Sequence, residues 1–188
     1  MPPKVRITKN DIISRTLDLV RERGADAINA RSIAGALGCS TQPIFSNFES
    51  LEQLEREVYT AAYELYLSYI ENEVKNGKYP AYKSFGMAYV RFAREECELF
   101  KMLFMCQRDG EKLDSTPDVD KSIEMIMQAN GICRKTAELI HLEMWAFVHG
   151  IATMLATSFL NLDEELISSM LTDIYQGVRR EHIEREVK

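Results

Sequence analysis

The sequence is short of the residues that interrupt or brace a chain. Five prolines and nine glycines among 188 residues leave long stretches without a helix breaker,. Sustained β-branched alternation is missing, so no half-buried strand is signalled. Four cysteines are present, but none are spaced Cys-x-x-Cys, and the three histidines do not cluster with them. No zinc site is therefore indicated, and reduced thiols in a cytoplasmic protein are the simplest expectation. A charged-then-apolar leader with a cleavage site is also missing, and no apolar run reads as long enough to span a bilayer. The longest apolar-rich stretch, residues 144–162, contains His149 and several Thr and Ser. No Gly-rich phosphate loop and no Ser–His–Asp or Cys–His arrangement is found, so neither catalysis nor a cofactor is expected. The acidic runs at residues 95–98 and 163–165 read as solvated helix ends.

What remains is rich in helix formers. Hydrophobic residues make up 46% and charged residues 28%, which suits a globular, all-α protein. The net charge of −6 is unevenly placed: residues 1–48 carry +3 and residues 49–188 carry −9. A basic module ahead of an acidic body suits local contact with a polyanion.

Punctuation along the chain predicts about nine helices. Thr8 caps the first, residues 9–23, which Gly24 stops. Asn29 caps a second, residues 30–37, and Gly38 supplies a turn. Ser40 caps a third, residues 41–48, with Pro43 in its first turn. Ser50 and Gln53 form a capping box for a long fourth helix, to about residue 74. After a break at 75–80, helices are expected at 81–96, to about 106, then at 118–130, 135–160 and 163–185, with a loop at 107–117.

The second and third helices, joined by Leu37-Gly38-Cys39-Ser40, make a helix-turn-helix pattern,. Its second helix opens with small polar residues, Ser40, Thr41 and Gln42. Such side chains can reach bases or phosphates, and Gln can contact adenine through two bonds. Ile44, Phe45 and Phe48 are expected to hold this helix against the other two.

The stretch Asn29–Leu54 resembles the helix-turn-helix of the tetracycline-repressor-like (TetR/AcrR) regulators. It matches the family pattern at Ile33-Ala34, Gly38, Ser40, Phe48 and Leu54. The order and spacing are kept without a gap, and the resemblance covers residues 8–54. It departs where the family has Thr, Leu-Tyr, His and Lys: here stand Asn29, Ile44-Phe45, Asn47 and Leu51. The family's Tyr and Lys hold DNA phosphates, so Phe45 and Leu51 imply fewer phosphate contacts, or others from Lys4, Arg6, Lys9 or Arg31. Trp145-Ala-Phe-Val-His-Gly150 resembles the Trp-(x)3-His-Gly signature of one class of C-terminal domains, in which the last two helices form a four-helix dimer interface.

The resemblance implies a three-helix DNA-binding domain, residues 1–48, and a helical effector-binding and dimerisation domain, residues 49–188. It implies a repressor released from a palindromic operator by a small molecule. The DNA contacts expected are Lys9, Asn29, Arg31, Ser40, Thr41, Gln42, Phe45, Ser46 and Asn47. A small, largely apolar effector is expected against Phe85, Tyr89, Phe92, Met102, Met105, Met125 and Trp145, since Met and aromatic side chains adapt to varied shapes. Homodimer contacts are expected from His149, Thr153, Ala156, Ile167, Met170, Leu171, Ile174 and Val178. No metal and no membrane partner is expected. An all-helical enzyme and a helical protein–protein adaptor are the rival readings; the first lacks a catalytic constellation, and the second gains from Phe45 and Leu51.

Overall fold

The computed structural model describes residues 7–106 and 117–186. Among the described residues the protein is all helical: α1 Lys9–Arg23, α2 Ala30–Ala36, α3 Gln42–Asn47, α4 Leu51–Asn76, α5 Ala81–Glu95, α6 Cys97–Phe104, α7 Pro117–Asn130, α8 Arg134–Ala156 and α9 Glu164–Glu186, with a single 3-10 turn at Ala25–Ala27. The all-α expectation of about nine helices holds.

The chain forms two compact units. Among the described residues, one comprises residues 7–67 and 96–106, the other residues 68–95 and 117–186. The fourth helix contributes to both.

In the first unit Thr8 and Asn29 cap α1 and α2 as the sequence encodes. The Thr8 hydroxyl accepts the Asp11 N–H, and the Asp11 carboxylate accepts the Thr8 N–H at 2.8 Å, which satisfies two otherwise orphaned donors. Asn29 accepts the Ser32 N–H at 2.9 Å and starts α2. Gly24 ends α1 at φ 78°, ψ 177°, a region essentially reserved for glycine. Ile12, Leu19, Val20, Ile33, Ile44, Leu54 and Val58 are buried together as this unit's core. The sixth helix joins it: α6 packs on α1, and the Arg21 guanidinium donates to both Glu96 carboxylate oxygens at 2.7 and 3.0 Å.

In the second unit α8 is the central element, packed against α5, α7 and α9. Phe92, Ile126, Ile140, Ile151 and Ile167 are fully enclosed there. Gly86 on α5 faces this packing: a Cβ there would make ordinary van der Waals contact with Leu171 at 3.4 Å and Val148 at 3.6 Å.

Several boundaries differ from expectation. The first residue of α3 is Gln42, and the flanking Thr41 makes no side-chain cap, so Ser40 does not start the helix. The seventh helix begins at Pro117, a residue expected in a loop; proline is tolerated where no helical N–H is needed,. The eighth ends at Ala156 rather than near residue 160. There the Thr157 hydroxyl donates back to the Thr153 carbonyl at 2.7 Å, and Ser158 takes φ 56°. The last helix is capped by Asp163, whose carboxylate accepts the Leu166 N–H at 2.7 Å. Among the described residues α8 is also long and apolar enough to cross a membrane, contrary to the expectation from sequence. Three helices of the second unit pack against it.

Candidate nucleic-acid interface

The short third helix is held by one face and free on the other. Ile44 and Phe48 point inward and are buried, while Thr41, Gln42, Phe45 and Ser46 are exposed, as is Ser40 just before them. Phe45 is therefore not part of the core, contrary to expectation; one residue of helix rotation separates it from Ile44.

The exposed polar groups are not equally available. The Ser46 hydroxyl donates to the Gln42 carbonyl at 2.8 Å, and the Asn47 amide donates to the Pro43 carbonyl at 2.7 Å. Both side chains thus serve the helix itself. No hydrogen bond within the described residues engages the side chains of Ser40, Thr41 and Gln42. Asn29 is committed as the α2 cap.

The basic residues divide in the same way. Lys9 pairs with Glu57 and lies 5.3 Å over the Phe48 ring. Arg15 sits near Asp18 and Glu22 and donates to the Ala36 carbonyl. Arg21 is held by Glu96 and Asp18, and the Glu96 hydrogen bond raises its pKa further. Arg23 and Arg31 are exposed and unpaired among the described residues. Arg31, on α2, is thus the base of the helix-turn-helix left to meet a phosphate. Lys4 and Arg6 lie outside the described residues. Local sequence gives no sign of the Lys9–Glu57 and Arg21–Glu96 pairs, whose partners are 48 and 75 residues apart.

The residues proposed for an effector fall into different places. In the second unit, Tyr89 is buried and its hydroxyl meets His149 Nδ1 at 2.9 Å, while Trp145 stacks on the His149 ring with centroids 5.0 Å apart. These three form one group. A parallel contact joins the Tyr82 hydroxyl to His141 Nδ1 at 3.2 Å, and burial pushes the Tyr82 phenol well above its ordinary range. Phe92 is enclosed against the edge of Tyr69, Phe85 is buried near the Lys121 ammonium, and Met125 is half-buried on α7. Met102 and Met105 belong to the first unit, where the Met102 carbonyl accepts the Tyr59 hydroxyl at 2.5 Å and Met105 is exposed. The loop expected at 107–117 lies outside the described residues except for the backbone of Pro117, the first residue of α7.

A cavity that sequence did not suggest lies in the second unit. It measures about 70 Å³, with Met87, Val90 and Ile167 on its apolar side and Arg91, Arg94, Glu95 and Glu164 on the other. That is well below the roughly 300–1,000 Å³ of drug-sized sites. Its charges are largely matched: Arg91 Nη1 is 2.6 Å from Glu73, itself only 1% exposed, and Lys78 reaches Glu164 at 2.8 Å. The Lys78 hydrogen bond, with that of Tyr79, holds the Glu164 carboxyl below its usual range against the opposing effect of burial.

Of the residues expected at a dimer interface, Ala156, Ile167 and Leu171 are buried within their own chain, and His149 is bonded to Tyr89. Thr153, Met170 and Val178 are half-buried, and Ile174 is exposed. The outward apolar face holds Ile174 of the expected set, together with Leu139, Leu142, Ala146 and Gly150 on α8 and Leu166 on α9. Phe159 and Leu160 in the turn between these helices are exposed as well. Among the described residues no group of three or more His, Cys, Asp and Glu side chains gathers as a metal site would require.

Comparison with known proteins adds one finding. Residues 82–174 match the family model described as the tetracyclin repressor-like C-terminal domain. No curated protein matches the chain.

Proposed function

Because residues 82–174 make this chain a member of the tetracycline-repressor-like family of transcriptional regulators, we propose that it is a homodimeric, cytoplasmic repressor that leaves a palindromic operator when a small molecule binds. In this reading residues 1–48 bind DNA and residues 49–188 bind the effector and the second copy. No catalytic step is assigned to it.

The observation that carries the DNA-binding reading is the third helix. It is anchored by Ile44 and Phe48 and offers Ser40, Thr41 and Gln42 to solvent, with Arg31 unpaired on the preceding helix. Gln42 would read a base edge, and Arg31 a phosphate. A palindrome follows from two-fold symmetry, since each copy supplies one recognition helix to one half-site.

The second copy is assigned to the outward face of α8 and α9. Leu139, Leu142, Leu166 and Ile174 supply its apolar area, and Ala146 and Gly150 its close approach; a Cβ at Gly150 would meet nothing within 4 Å in its own chain. The effector is assigned to the α5–α8 region of the second unit, where Tyr89, His149 and Trp145 form one polar and aromatic group. A largely apolar molecule with one hydrogen-bonding group fits that chemistry. Effector and DNA would each weaken the other's binding by the same factor, typically about 1–3 kcal/mol of coupling.

Selection from a random duplex library at low salt tests the reading. Enrichment of an inverted repeat is the expected result. A library from which no motif emerges would sink it and favour a helical adaptor.

A further inference from the structure

The third helix carries a group that the polar contacts leave unused. Phe45 is 55% exposed, more than any other large hydrophobic residue described in the first unit. It makes no ring or cation contact within the described residues. Its neighbours on the same face are Thr41 and Gln42, one turn earlier, and Ser46, all exposed. The helix does not need the ring for its own docking, because Ile44 and Phe48 are fully used for that.

A phenyl group has no donor and no acceptor, so it cannot hold a phosphate. In the major groove its chemical match is the C5-methyl group of thymine, the apolar feature that base edges present there. The geometry points to Phe45 as a specificity-determining residue that covers a thymine methyl in each half-site, next to the base contacted by Gln42. This inference rests on the DNA-binding reading above and adds to it a base identity and the residue that selects it.

The test uses uracil. Replacing thymine by uracil removes the methyl and leaves base pairing intact. The full-length protein is first used to select its operator, and each thymine is then replaced symmetrically in both half-sites. At one position the substitution should weaken binding about fourfold per methyl, or about fifteenfold for the pair, the equivalent of the roughly 0.8 kcal/mol that a buried methyl-sized group contributes. The Phe45→Ala protein should bind the thymine operator more weakly and show no uracil effect at that position. Phe45→Leu, still apolar, should retain part of it, and Gln42→Ala should retain it in full. Because the ring is exposed, both Phe45 variants should keep the parent melting midpoint. A parent protein indifferent to uracil at every position, or a Phe45→Ala protein equally sensitive to it, overturns the inference while DNA binding stands. Failure to select any duplex overturns both.

Discussion

At the scale of single residues, what decides function is whether a side chain is already engaged. Gln42 and Arg31 are not, whereas Lys9, Asn29 and Asn47 are. Changing Gln42 to Ala should cost about 1–3 kcal/mol of operator binding and relax preference at one base position, as measured by competition between operator variants. Arg31→Ala should instead weaken binding to all sequences alike and reduce the slope of log affinity against log salt by about 1. Lys9→Ala should lower the salt slope much less, because its charge faces Glu57. Glu164 gives a pH prediction. Its folded pKa lies below the ordinary 4.5, so its contribution to stability is present above about pH 4.5 and is lost as pH falls through the lowered value. The group is partly exposed and screened, so the effect is small, under about 1 kcal/mol. Melting of the parent and of Glu164→Gln should differ at pH 7, and the difference should shrink as the pH falls below 4.5; a difference that does not shrink in acid would remove Glu164 as the cause.

At the scale of elements, capping residues and turns were largely legible in the sequence. Thr8, Asn29 and Gly24 bound their helices as local chemistry dictates. An error lies where a boundary depends on more than one neighbour: the end of α8 is set by Thr157 and Ser158. Gly24 is the sharpest test of the α1 stop. Alanine there would be forced into a conformation that L residues avoid, with its Cβ 3.2 Å from the Glu98 carboxylate. Gly24→Ala should therefore lose about 1–3 kcal/mol in denaturant unfolding. A loss under about 0.5 kcal/mol would mean that the turn relaxes freely.

At the scale of the whole molecule, the proposed dimer requires the apolar stripes of α8 and α9 to be divided between the chain's own core and a second copy. Sequence shows that these helices are apolar on more than one side. It does not show which side is taken. Ile167 and Leu171 go to the core; Leu142 and Ile174 stay outside. Introducing Asp at both Leu142 and Ile174 should leave the helical signal and melting of the monomer intact and reduce the mass in light scattering to a single 21.6 kDa chain,. A double variant that remains a dimer would move the interface elsewhere. The same substitutions at Ile167 and Leu171 should unfold the second unit, because each would bury an unpaired charge.

The all-α fold, most helix limits and the helix-turn-helix were determined by the sequence alone, since caps, breakers and 3.6-residue periodicity act within a few residues. Only the tertiary structure decided which bases remain free, which apolar stripe is exposed, and that Phe45 faces outward while Ile44 faces in. Met102 shows the same limit: it reads like the α5 aromatics in the sequence, yet α6, which carries it, packs on α1 within the first unit. These outcomes depend on contacts between residues tens of positions apart, such as Lys9 with Glu57 and Arg21 with Glu96. A periodic pattern marks a face as apolar or charged, but burial and ion pairing are properties of the two surfaces that meet.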